Sequence, residues 1–287
     1  MSDFQIRPLR LDEMAAPLAW AQREGWNPGL QDKMPFWHVD QAGFLGGYLD
    51  DELIATISAI RYDDTFGFIG FYIVEPQHRG QRYGLQMWQA GMAKLETVVC
   101  IGLDGVLEQQ ENYRQSGFVL AHKNARYEGS PQQNTAAMTL DKDERMLSTS
   151  DVSFDALTRF DTAHFPTNRA SFLRAWTKQM GHRGRVILKS DQVCAYGVIR
   201  PCGSGYKIGP LFAQTTKQAY NLILALCASL EPGVLVYIDP PANNPQAITL
   251  IESLGMKMVF ETARMYKGTA PELPLSAIFG ITSFELG

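Results

Sequence analysis

The period of hydrophobic and polar positions changes several times along the chain, and each change marks an element. Residues 11–24 carry apolar side chains at helical spacing, while 43–49 and 53–62 read as the two strands of a hairpin. An aromatic-rich strand follows over 67–74, then a glycine-bearing loop, then a helix whose Leu85, Trp88, Met92 and Leu95 share one face. A short buried strand (98–104), a helix from Gln109 closing at Gly117 and a strand over 118–128 complete the first half. The second half repeats this order. It has a helical region over 154–180, strands near 185–190, 193–200 and 205–212, and a helix carrying Tyr220, Ile223, Cys227 and Leu230. A strand (233–238), a helix (245–253) ending at Gly255 and a closing strand with Ala263-Arg264-Met265-Tyr266-Lys267-Gly268 follow, the last echoing Ala125-Arg126-Tyr127-Glu128-Gly129.

Spacing agrees as well as order. With Ala213 set against Pro76, the interval to Gly255 nearly equals the interval from Pro76 to Gly117. A duplicated fold is expected, of α/β (α+β) class, each unit a mixed, largely antiparallel twisted sheet flanked by helices. The units are expected over residues 1–140 and 150–287. The join, around residues 130–150, is polar and proline-containing at its start, then charged, and reads as a linker around one short strand at Ala136–Leu140. The segment Ile278 to Gly287 (IFGITSFELG) is too apolar for a disordered end and is expected to form the last strand of the second half. Alternatively, its Glu285 reaches a shared pocket.

Phe71 to Gly84 (FYIVEPQHRGQRYG) joins strand to helix through Arg79, Gly80, Arg82 and Gly84. Strand, basic glycine loop and helix together suit an anion, because backbone N–H groups converge where the helix dipole favours negative charge. Gly80 and Gly84 lack a Cβ and permit close approach of a ligand. The chain has neither GxxxxGK[ST] nor a GxGxxG opening an early βαβ unit, which sets aside the two commonest nucleotide loops. The matching stretch of the second half, AQTTKQAYN, has no glycine and only Lys217 for charge. Ile251 there takes the place of Tyr113.

The loop resembles the acyl-CoA signature of the GNAT N-acetyltransferases: a strand ending Val-x-Pro, then Arg-Gly-x-Gly-x-Gly or Ala, then a helix. Val74, Pro76, Arg79, Gly80 and Gly84 match, while Arg82 stands where the family usually has glycine. The guanidinium of Arg82 is expected to add its charge to the phosphate site. The resemblance implies acetyl-CoA as cosubstrate, held by Arg79, Gly80, Gln81, Arg82, Tyr83 and Gly84, with Ile73 and Val74 pairing the pantetheine and Asn112 as a further contact. It also implies that Tyr113 is the general acid toward the CoA thiolate. A phenol with an ordinary pKa of about 10 is protonated at pH 7 and can fill that role; a tyrosine half-buried on an amphipathic helix is the plainer alternative.

Glu75 and Asp104, at the ends of the two central strands, are the candidate bases. Asp104 before Gly105 also suits a turn, and Glu75 a solvated position. Trp26 and Asn27, in the loop Glu24-Gly25-Trp26-Asn27-Pro28-Gly29, are candidate substrate contacts, although a tryptophan there can equally plug the edge of a core. The whole chain resembles the two-domain GNAT enzymes with a degenerate GNAT-like second half, the group that includes holothin acyltransferase-like proteins. The EGWNPG and FGITSFELG segments look like that group. The implied activity is acetyl-CoA-dependent N-acetylation of a primary amine of a small molecule by direct attack in a ternary complex. In this reading the second half lines the acceptor pocket. The alternative is a non-catalytic acyl-CoA sensor or binding module.

Composition narrows the partners. Of 287 residues, 45% are hydrophobic and 20% charged, as in a soluble globular protein. A net charge of −4 without a basic block argues against nucleic acid. No apolar run reaches the ~18–20 residues that cross a bilayer, so no membrane partner is expected. The start of the chain lacks a secretory pattern, and Cys100, Cys194, Cys202 and Cys227 are scattered, which together predict a reducing cytoplasm. The five histidines are dispersed without ligand spacing, and no metal is expected.

Overall fold

The computed structural model describes residues 3–131 and 138–287. The first half contains β1 (Phe4–Pro8), α1 (Ala15–Arg23), α2 (Lys33–Trp37), β2 (Phe44–Leu49), β3 (Glu52–Arg61), β4 (Phe66–Val74), α3 (Tyr83–Lys94), β5 (Cys100–Val106), α4 (Gln110–Gln115) and β6 (Val119–Gly129). The second contains β7 (Glu144–Ser148), α5 (Phe154–Thr162), α6 (Ala170–Lys178), β8 (Arg183–Lys189), β9 (Gln192–Pro201), β10 (Tyr206–Ala213), α7 (Thr216–Cys227), β11 (Val236–Ile238), α8 (Pro245–Ser253), β12 (Lys257–Lys267) and β13 (Ile278–Gly280). Three elements have no counterpart in the sequence reading: β1, α2 and β7. Each is 5 residues long, too short for its period to stand out. Of the strand expected at Ala136–Leu140, residues 136–137 lie outside the described residues and 138–140 are irregular.

The hairpins β2–β3 and β8–β9 turn through equivalent residue pairs with left-handed backbone. These are Asp50 and Asp51 (φ 48° and 69°) and Ser190 and Asp191 (φ 48° and 65°). Two successive positive φ values match the twist of the flanking strands, which is why such turns dominate tight hairpins.

Among the described residues the strands form one 13-stranded sheet, in the order β1-β2-β3-β4-β5-β12-β6-β11-β10-β9-β8-β7, with β13 beside β10. Only β4–β5 and β10–β11 are parallel, so the sheet is mixed and largely antiparallel, as expected. The halves exchange their last long strands. β12 lies between β5 and β6, antiparallel to both, and β6 pairs on its other side with β11. The sheets of the two expected units are thereby joined into one. Residues 278–280 pair with β10, but the remainder of that segment runs on as buried irregular chain.

Each exchanged strand carries an arginine that meets an aspartate of its host. Arg264 on β12 donates twice to Asp104 on β5 (2.8 and 2.6 Å). Arg126 on β6 donates twice to Asp239, just beyond β11 (2.8 and 2.8 Å). All four side chains are buried. Buried charges are tolerated only as complete pairs, so losing either partner leaves an uncompensated ion.

Among the described residues four apolar clusters flank the sheet, the smallest formed by Phe66, Phe68, Cys100, Phe165 and Tyr266. Trp20, Phe36, Leu157 and Trp176 from α1, α2, α5 and α6 share one with Phe71, Phe212 and Phe284, and it runs across both halves. Met87, Trp88 and Tyr113 of α3 and α4 belong to a second, while α7 and α8 pack on a third. Among the described residues no helix is long and apolar enough to cross a membrane.

Candidate active site

β4 and β5 pair only between Phe66–Ile69 and Cys100–Leu103. Beyond that point β4 runs on to Val74 and β5 to Val106 without bonding each other, and a gap opens between them. A bulge marks the opening. The register of β4 against β3 slips between Thr56 and Ser58, Phe71 takes φ 44°, and the Thr56 hydroxyl donates to the Phe71 carbonyl (2.9 Å). A bulge re-aims the backbone groups around it. A buried phenylalanine in left-handed backbone costs about 1–2 kcal/mol, strain of the kind that collects at functional sites.

The gap leads into a cavity of about 720 Å³. Its walls include Gly70 to Val74 of β4, Arg79, Gly80, Arg82 and Gly84 of the loop, Asp104 to Val106 of β5, and Tyr113. The second half contributes Phe260, Thr262, Phe284 and Glu285.

At the loop end, α3 begins without a side-chain cap. Gly80 has φ 78° and Arg82, at the N-cap, φ 67°. The N–H groups of Gly80 to Gly84 find no protein acceptor among the described residues. Several orphan donors at a positive dipole end make an anion site. Arg82 therefore keeps the left-handed backbone that glycine adopts without strain, and its exposed side chain makes no ion pair among the described residues. Arg79 is held across the loop: its Nε donates to the Val74 carbonyl (2.9 Å), and its Nη2 pairs with Glu24.

At the other end stands Tyr113, on the short α4, which closes at Gly117 (φ 89°) with the Phe118 N–H returning to the Tyr113 carbonyl (3.1 Å). The ring packs on Trp88 (5.3 Å between centroids). Burial, aided by neighbouring Tyr72, pushes the phenol well above its ordinary value and keeps it protonated through the physiological range.

The other residues singled out in the sequence divide. Trp26, Ile73 and Val74 line the cavity. Gln81 (Nε2 to the Gln77 carbonyl, 3.2 Å), Tyr83 (packed on Phe4, 4.7 Å) and Asn112 (bonded to Gln109, 2.7 Å) lie outside its lining. Asn27 also points elsewhere. Its amide exchanges hydrogen bonds with Ser204 (3.0 and 3.3 Å) and donates to Cys202 Sγ (3.2 Å), tying the first-half loop to the turn between β9 and β10. Glu75 lies off the cavity and accepts from Arg23 (2.6 Å). Asp104 does line the cavity, but Arg264 occupies both its oxygens and Asn124 adds a further donor (2.8 Å). Burial raises its carboxyl above the ordinary value against the opposing pull of Arg264.

Behind the Trp26 carbonyl sit two buried cations, Arg126 (2.6 Å) and Lys207 (3.4 Å). Burial, then the charge of Arg126, brings the Lys207 ammonium down to about 8. Sequence reasoning missed Phe260 and Thr262, since nothing local announces that β12 inserts beside β5.

An uncapped helix start, two parted strands and a buried tyrosine at the far end define an acyl-CoA-dependent acyltransferase frame, and the relatives agree. The model of the acetyltransferase (GNAT) family matches residues 11–118, and that of an acetyltransferase (GNAT) domain matches 157–280. The chain is 32% identical over 281 residues to holothin acyltransferase of Pseudoalteromonas sp. (strain SANK 73390), covering 98% of this chain and 94% of that one. It belongs to the GNAT acetyltransferases and is an N-acyltransferase, of a family that takes its acyl group from an acyl-CoA. Its fold is similar to that of a candidate acetyltransferase from Pyrococcus horikoshii (TM-score 0.81, 20% identity, 99% of this chain and 96% of that one). It is also similar to a tandem GNAT protein from the clavulanic acid biosynthesis pathway (TM-score 0.63, 11% identity, 94% and 100%).

Proposed function

We propose that the protein is an acetyl-CoA-dependent N-acetyltransferase acting on a primary amine of a small molecule. The observation that carries the reading is one cavity joining the open N–H groups at the start of α3 to the protonated Tyr113 across the β4–β5 gap. In this reading residues 1–140 hold the donor, while 150–287 support them and line the acceptor side. The pyrophosphate sits on the N–H groups of residues 79–84 with the Arg82 guanidinium beside it, and the β4 edge over 71–74 pairs with the pantetheine amides. The amine nitrogen attacks the thioester carbon, a β4 backbone N–H near Val74 stabilises the oxyanion, and Tyr113 protonates the departing thiolate.

The relative named for holothin directs the acceptor search toward small molecules. Four free cysteine thiols fit a reducing cytoplasm. A thiol-release assay with acetyl-CoA across an amine library tests the proposal: CoA release that depends on an added amine is expected. Tight CoA binding with no release for any amine would make the protein an acyl-CoA sensor, the reading motivated by Arg82 at the glycine position and by a second half without the loop.

A further inference from the structure

Two residues that line the cavity carry buried polar side-chain atoms without a hydrogen-bond partner among the described residues, and both come from the second half. They are Glu285, with both carboxylate oxygens unpartnered, and Thr262, with its hydroxyl. Glu285 is 1% exposed. A buried carboxylate with no donor is costly, and such groups in native proteins mark a function or a missing ligand.

Its surroundings explain how it is held. The Ser283 carbonyl accepts from the Gly287 N–H (3.1 Å), the Ser283 hydroxyl accepts from the Leu286 N–H (3.2 Å), and the Tyr62 hydroxyl donates to the Leu286 carbonyl (2.9 Å). On β4, Gly70 leaves room for this chain, because a Cβ there would lie 2.1 Å from the Glu285 carbonyl oxygen. The charge is balanced. Arg126 on β6 and Lys207 on β10 both feel the Glu285 carboxylate, and Asp239 beyond β11 matches the other of the two cations. Balance makes the carboxylate tolerable; it does not supply a donor.

We infer that Glu285 and Thr262 form the acceptor subsite, which takes a primary ammonium borne on a compact, flat apolar body, and that Glu285 receives the ammonium proton. The inference rests on the N-acetyltransferase reading and adds the substrate class and the base. Trp26, Phe71, Phe260 and Phe284 line the same cavity and supply the flat apolar walls; the rings of Phe260 and Phe284 stand 6.0 Å apart. The protons balance as follows. The ammonium gives one proton to Glu285, and the freed lone pair forms the C–N bond. The C–S bond breaks, and the thiolate takes the Tyr113 proton. A second proton leaves the nitrogen and restores the phenol, while Glu285 releases the first to solvent. The sum is an amide, free CoA and one proton. Neither Glu75 nor Asp104 can serve here without first giving up Arg23 or Arg264.

Benzylamine, an alkylammonium on a flat ring, is the probe. Calorimetry measures its binding to the CoA-loaded protein, and thiol release from acetyl-CoA measures its turnover. Glu285→Gln is expected to weaken benzylamine binding by at least about tenfold and to cut turnover by roughly 10²-fold or more, with CoA affinity within about twofold of wild type. Aniline, uncharged at neutral pH, should lose less than benzylamine. Equal benzylamine affinity in wild type and variant, or no benzylamine binding by the wild type, overturns the subsite. Glu285-dependent binding without thiol release keeps the subsite and overturns acetyl transfer; thiol release untouched by Glu285→Gln does the reverse. Should Glu285→Gln lose CoA binding, Glu285→Asp is read in the same assays. It keeps the charge one methylene further back, and a loss of about threefold or more is then expected; no loss overturns the subsite.

Discussion

Helices α3 and α7 follow equivalent strands, β4 and β10, and each packs its apolar face under its own half, yet their first turns are opposites. Thr215 caps α7: its hydroxyl accepts from the Gln218 N–H (3.2 Å), and the Gln218 side chain accepts from the Thr215 N–H (3.1 Å). That capping box satisfies donors from within the chain and stabilises the helix by about 1 kcal/mol. α3 has no such cap, two residues of left-handed backbone in its approach, and its donors turned to a cavity. A helix start can satisfy its own donors or leave them open, and these two show one of each. The second half has also filled the position of Tyr113 with Ile251, fully buried in the α7–α8 core. What remains alike between the halves is mechanical: the hairpin turns, and the aspartate–arginine pair that seats each exchanged strand.

The sharpest way to break this comparison is to place a negative charge at both helix starts. Gly80→Asp adds a carboxylate beside the proposed phosphate position and a side chain at φ 78°; it should abolish CoA binding by calorimetry. Lys217→Asp, at the start of α7, should leave CoA affinity within about twofold, since capping has already withdrawn those donors. Normal CoA affinity in Gly80→Asp would remove the distinction between the helices.

Next in size is Tyr113→Phe, expected to lower kcat by about 10²–10⁴-fold while changing the KM for acetyl-CoA little, because in the proposed mechanism the hydroxyl acts only as the thiolate develops. Burial raises the phenol, so the protonated form persists as pH climbs, and the wild-type single-turnover rate should not fall between pH 6 and 9 through Tyr113. An unchanged single-turnover rate in the variant would make Tyr113 a packed aromatic like its counterpart Ile251.

The shared feature of the halves can be tested by breaking its two copies separately. Arg264→Leu strands Asp104, and Arg126→Leu strands Asp239; each should destabilise the fold by about 3–5 kcal/mol in denaturant titration. A cost confined to one of them would show that the exchange is held unequally.

The smallest effect is expected at the site of the family departure. Arg82→Gly relieves a left-handed side-chain residue and should stabilise the protein by about 1 kcal/mol. It also removes a guanidinium from beside the proposed phosphate position and should weaken CoA binding by roughly fivefold to tenfold at low salt and less at high salt. A gain in stability with unchanged affinity at every salt concentration would leave the first half's loop working by backbone alone.

Much of this was legible in the chain because it depends on neighbours in sequence. The duplicated order, the paired intervals, the loop of Arg79, Gly80 and Gly84, and Tyr113 four residues before Gly117 all follow from local periods, turn residues and caps. The loss of the loop in the second half was legible for the same reason, and so was Trp26, whose loop bends on its own glycine and proline. What only the tertiary structure decided concerns residues distant in sequence. Strand exchange depends on which edge β6 and β12 find, and antiparallel pairing with a host strand or with its repeat is locally the same choice. That choice turned Asp104 from a candidate base into the partner of Arg264 and carried Phe260 and Thr262 to the cavity, while packing between the halves set Asn27 against the β9–β10 turn. Glu285 shows the division most plainly. Its apolar surroundings in sequence announced burial, but a carboxylate is left without a donor only by the three-dimensional meeting of Gly70, Arg126 and Lys207 around it.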